Sequence, residues 1–129
     1  MGFFRRKRKD AEATLNVVSK VEDPADADGL VLDQLQAMGV NLSKPRDARF
    51  YLYLRTREDA QAAAAAVRAQ GFAVEVTPAA GEATEHPWLM LASRDMIVSA
   101  DSIAEARRLF DGLAEQHSAD YDGWEAAAD

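Results

Sequence analysis

Residues 119–127 read ADYDGWEAA, and what this segment becomes decides the fold of the whole chain. Asp120, Asp122 and Glu125 surround two large rings, Tyr121 and Trp124, with Gly123 between them. The segment can be read as a catalytic carboxylate group, as a final strand whose rings close the core, or as a binding element.

The residues upstream favour the strand. Ser99 or Asp101 opens a helix with Ile103, Ala106, Leu109, Phe110 and Leu113 on its apolar side. Before it, PWLMLASR (87–94) and FAVEVTP (72–78) read as strands joined by the loop AAGEATEH. Thr56 to Asp59 resembles a capping box that opens an Ala-rich helix, which Gly71 ends. The clearest strand is DARFYLYLR (47–55), where Phe50, Leu52 and Leu54 alternate with Arg49, Tyr51, Tyr53 and Arg55. The order from Arg46 is thus strand, helix, strand, strand, helix, and residues 119–127 alone remain to supply a fourth strand. This is the order of an α+β, ferredoxin-like split β-α-β sandwich, a four-stranded antiparallel sheet with two covering helices. Within that last strand Tyr121 or Trp124 packs inward and Gly123 eases a bend or bulge.

An additional N-terminal helix precedes this unit. In residues 23–39 Asp23 caps, Pro24 takes the first helical position, and Val31, Leu35 and Met38 share a face before Gly39. That stripe is expected to cover the second face of the sheet, over Tyr51 and Tyr53. The expected division is a basic, flexible tail over residues 1–22 and a folded domain over 23–129. The tail also carries a weak apolar pattern, Leu15, Val17, Val18 and Val21, compatible with a short strand or helix.

Charge narrows the function. The chain has 129 residues and a net charge of -7, yet Arg5, Arg6, Lys7, Arg8 and Lys9 are a run of cations. The remainder is therefore more acidic still, and it repels a phosphate backbone while suiting a basic protein surface. Tyr51 and Tyr53 on one strand face superficially resemble a base-stacking sheet, but the octamer pattern of such RNA-binding domains is missing. Residues 3–9 suit weak contact with an anionic surface, either a membrane or an RNA-bearing complex. The composition has no Cys, which excludes disulfides and thiolate metal sites and fits a cytoplasmic setting. His86 and His117 stand alone without metal-ligand spacing, no serine sits in a nucleophile elbow, and no Gly-rich phosphate loop occurs. No cofactor and no catalysis are expected.

Several pieces together resemble a known family. LDQLQAMGVNLSKPRDARFYLYL (32–54), GFAVEV (71–76), PWLMLASRDM (87–96) and DYDGWE (120–125) resemble, in this order and spacing, the RraB family of ribonuclease E regulators, over about residues 28–126. The specific marks are Ser43, Lys44, Pro45 and Arg46 before the aromatic strand, Trp88 opening the third strand, and Tyr121, Gly123 and Trp124 in the last. The resemblance implies a bacterial protein that binds ribonuclease E, through that enzyme's Arg-rich non-catalytic region, and lowers transcript cleavage without RNA chemistry of its own. It assigns no binding residues. On charge alone the candidates are Glu58 and Asp59, Glu82 and Glu85, and Asp120, Asp122 and Glu125. The cationic start lies outside the family pattern, so an alternative reading is an RNA- or membrane-associated adapter using that tail. The oligomeric state is not readable from these residues.

Overall fold

The computed structural model describes residues 3–5, 24–79 and 85–127. The elements are β1 (Phe3–Arg5), α1 (Pro24–Ala37), β2 (Arg46–Leu54), α2 (Arg57–Ala69), β3 (Ala73–Pro78), β4 (Trp88–Met96), α3 (Ala100–His117) and β5 (Asp120–Ala127). The weak pattern at Leu15 to Val21, the Asp23 cap and most of the basic run lie outside the described residues.

Local chemistry sets the helix ends. Thr56 is extended and its hydroxyl accepts from the Asp59 amide, so α2 starts at Arg57. Ala60, Ala63, Ala64 and Val67 recur at helical spacing and form its buried face. At α3 the cap is reciprocal: Ser99 accepts from the Ser102 amide, and the Ser102 hydroxyl accepts from the Ser99 amide. Ser118 ends α3 in the left-handed region, φ 51.

The sheet runs β1-β5-β2-β4-β3, and every pairing is antiparallel. Strands β2 to β5 with α2 and α3 reproduce the expected split β-α-β order, with β2 and β4 central. The three-residue β1 adds a fifth strand beside β5, pairing Phe3 with Ala127 and Arg5 with Glu125.

The core lies between this sheet and the helices. Ala48, Phe50, Leu52 and Leu54 on one side of β2 are fully buried, and β4 adds Met90 and Ala92. The Phe110 ring of α3 lies between Phe50 (centroids 5.1 Å apart, planes 13° apart) and Tyr121 (5.5 Å, 9°). Phe72 meets Phe50 and Phe110 edge-on, the other favourable aromatic geometry.

Helix α1 sits elsewhere than its stripe was expected to place it. It packs against α3 and β1, in the same layer as the other helices, and not over Tyr51 and Tyr53. The cause is a polar contact on the helix side of β5, described below. Val31, Leu32 and Leu35 are its buried apolar residues, while Met38 is 58% exposed just beyond the helix end. Gly39, at φ 82, turns the chain so that Val40 replaces Met38 in the core.

Candidate protein-interaction site

The family-like residues of the last strand are structural first. Trp124 pairs with Phe50, and Tyr121 pairs with Leu52, so both rings face the helices. In a regular strand residues three apart point to opposite faces. Between Tyr51 and Leu52 the register shifts, so that Asp122 and Gly123 together oppose Tyr51. Gly123, at φ 96, supplies the conformation that this bulge needs. Both rings are thereby brought inward, rather than one of them.

Fully buried Trp124 donates its indole Nε1–H to Asp28 Oδ1 at 2.9 Å. The other oxygen, Oδ2, accepts from Arg107 Nε at 3.2 Å. Asp28 is itself 7% exposed, so its charge is held by these groups in a nearly dry setting. This contact ties α1 to α3 and β5 and fixes the first helix on the covered side. Charge alone did not single out Asp28; acids in a first helical turn read as dipole partners.

The second mark has a matching role. Asn41 Oδ1 accepts from the Ser43 amide at 3.0 Å and from the Ser43 hydroxyl at 2.6 Å, which forms a turn. Pro45 then holds Lys44 extended as the chain enters β2. The Arg46 guanidinium, 6% exposed, donates to the Ala127 carbonyl at 2.7 Å and the Asn41 carbonyl at 2.8 Å. SKPR therefore clamps the end of the strand that DYDGWE begins. Trp88 opens β4 half-buried, with the Arg57 guanidinium 6.0 Å from its ring centroid.

The acidic candidates separate into three places. Leu54 pairs with Trp88 and Tyr53 with Asp120, so the end of β2 and the starts of β4, β5 and α2 share one end of the sheet. Glu58, Asp59, Glu85 and Asp120 gather there, together with both histidines. His117 Nδ1 is 3.2 Å from Asp59 Oδ1, and His86 Nε2 is 2.8 Å from the Ser118 carbonyl. Asp122 is buried in the bulge at 5% exposure. Glu125 lies on the side of the sheet away from the helices, where the Tyr51 hydroxyl donates to it. Glu82 lies outside the described residues, as do residues 6–9 of the basic run.

That side, which the sequence reading placed under the first helix, has no helix over it among the described residues. Tyr51 pairs with Leu91 and Tyr53 with Leu89, so four half-buried side chains make a central apolar and aromatic patch. Arg49 pairs with Ser93 and is held by Asp47 on its own strand, Nη2 to Oδ2 at 3.1 Å. The alternation in residues 47–55 exposed this face in the sequence, but only the register of β4, β3 and β5 assembles its neighbours.

A pocket lined by Gln70, Phe72, Arg94, Glu105, Ala106 and Leu109 has about 100 Å³ of room. Arg94 lines it, with its guanidinium 4.3 Å from the Phe72 centroid and donating to the Gln70 carbonyl at 3.2 Å. Small-molecule sites run to roughly 300–1,000 Å³, so this pocket is too small to hold a typical one. Among the described residues no group of three or more His, Asp or Glu could hold a metal ion. No described helix is long and apolar enough to cross a membrane.

The chain matches no individual curated protein. Residues 25–126 match the model of the family described as "Regulator of ribonuclease activity B", a span that takes in α1 and nearly all of β5, including the Asp28–Trp124 contact and both marks joined through Arg46. On that match the chain belongs to the RraB family.

Proposed function

We propose that this chain binds ribonuclease E directly in the cytoplasm of a bacterium and lowers its cleavage of transcripts, without catalysis of its own. The family match over residues 25–126 carries this reading, because the family is named for regulating a ribonuclease. The mode follows from charge: a body far more acidic than the net -7 repels RNA and attracts the enzyme's Arg-rich non-catalytic region. Glu58, Asp59, Glu85, Asp120 and Glu125 are the candidate contacts, and residues 23–129 are the regulatory unit.

A cleavage assay with purified ribonuclease E and a structured transcript tests this. Addition of the protein slows cleavage, and the effect weakens at high salt because charges are screened beyond about 8 Å at physiological ionic strength. Unchanged cleavage, together with no binding to the enzyme or its non-catalytic region, sinks the proposal.

A further inference from the structure

We propose that Arg68, with Glu75 and Pro78 beside it, keeps the outer edge of β3 closed to pairing with a second copy of this chain. The inference goes beyond the reading above and does not depend on its partner.

β3 is the terminal strand of the sheet, and among the described residues it pairs with β4 alone. One bond fixes which of its backbone groups face outward. The Ala79 amide donates to the Pro87 carbonyl at 2.7 Å, in the same register that pairs Thr77 with Leu89 and Glu75 with Leu91. Hydrogen-bonded positions alternate in an antiparallel ladder, so Ala73, Glu75 and Thr77 turn their N–H and C=O groups toward β4. Val74, Val76 and Pro78 turn theirs outward. Such a row of backbone groups on a terminal strand is a template for another strand.

Two of the three outward positions are blunted. The chain turns back where α2 ends, with the Gly71 and Phe72 amides donating to the Arg68 and Val67 carbonyls. The last turn of α2 therefore lies beside the start of β3. Exposed Arg68 reaches the edge from that turn and donates from Nη2 to the Val74 carbonyl at 3.1 Å. Its guanidinium stands where a neighbouring strand, about 4.8 Å away, would place its own donor. Pro78 has no N–H to offer. Val76 is the outward position that neither device touches.

The two devices cover different registers of a symmetric antiparallel pair. With Val76 opposite its own counterpart, Val74 meets Pro78, and the bonds that the proline would donate are missing. With Val74 opposite Val76 the proline is avoided, but this register needs the Val74 carbonyl that Arg68 holds. It also sets Glu75 opposite Glu75 of the second copy, and like charges directly opposed repel. Arg68 and Glu75 are both exposed, so replacing them leaves the core intact.

The test compares the full chain with R68A, E75T and R68A/E75T, by sedimentation over a range of concentrations and by amide hydrogen exchange. In the wild-type chain the Val76 amide should exchange faster than those of Glu75 and Thr77, which bond to β4. In R68A/E75T self-association should tighten at least about tenfold, with R68A between, and the Val76 amide should become protected as concentration rises. Adding Val76→Pro, which takes no bond from the β4 ladder, should return the double variant to wild-type behaviour. Equal self-association of the wild-type chain and R68A/E75T would overturn the proposal. So would tightening that E75T alone reproduces in full, or that Val76→Pro leaves in place. A Val76 amide already protected in the wild-type chain would do the same, since the edge would then be occupied.

Discussion

The two sides of β2 differ by one residue in register and by everything in environment. Ala48, Phe50, Leu52 and Leu54 are fully buried against helices, while Asp47, Arg49, Tyr51 and Tyr53 stay half-exposed on the other side. On the covered side a side chain is held by volume and by partners that water cannot replace. On the open side, interactions are solvated and weak, and what the residues share is a charge pattern. Substitutions should therefore move stability strongly on the first side and little on the second.

The largest effect belongs to Trp124. Trp124→Ala empties a fully buried site and takes the indole donor from Asp28, so unfolding in denaturant should show a loss of about 4 kcal/mol. Trp124→Phe keeps most of the apolar volume but leaves the Asp28 oxygen without that donor, for a loss of about 2 kcal/mol. If the phenylalanine variant were as stable as wild type, the polar link to α1 would carry no weight. Next, Gly123→Ala forces an L side chain into φ 96 and should cost about 1–2 kcal/mol. A neutral result would mean that the bulge relaxes to another conformation.

The covered side was the more legible one because its signal is periodic. The alternation of Phe50, Leu52 and Leu54 reports a strand face directly, as does the stripe Ile103, Ala106, Phe110 and Leu113 on α3. The last strand was legible only to an either–or, since Tyr121 and Trp124 are three residues apart and a regular strand turns one of them outward. The bulge at Gly123 brings in both, and glycine is the only local hint of it. The placement of α1 was not legible, because Val31 and Leu35 form the same stripe whichever layer they cover. A hydrogen bond between Asp28 and Trp124, 96 residues apart, decides it, and no periodicity reports such a contact. The helix-free face had the same difficulty. Its acids come from β2, β3, β4 and β5, and only the pairing register brings them together.

On the open side the contrast sharpens. E75K/D95K, at two exposed positions, should leave stability within about 0.5 kcal/mol of wild type, as surface substitutions do. A large loss of stability there would mean that the face is part of the core and not a free surface.

The smallest predicted effect is the most specific, because it should depend on salt and on which of two opposed carboxylates is replaced. Asp95 stands opposite Asp47, and Asp47 is already partly neutralised by Arg49. Replacing one carboxylate removes a residual repulsion, so Asp95→Asn should stabilise the fold by about 0.3 kcal/mol at low salt, the lower end for a cross-strand pair. The gain should disappear at high salt, where exposed charges are screened. Asp47→Asn removes the same repulsion but also releases Arg49, so it should give no gain. An Asp95→Asn chain no more stable than wild type at low salt would show that the opposed pair costs the fold nothing.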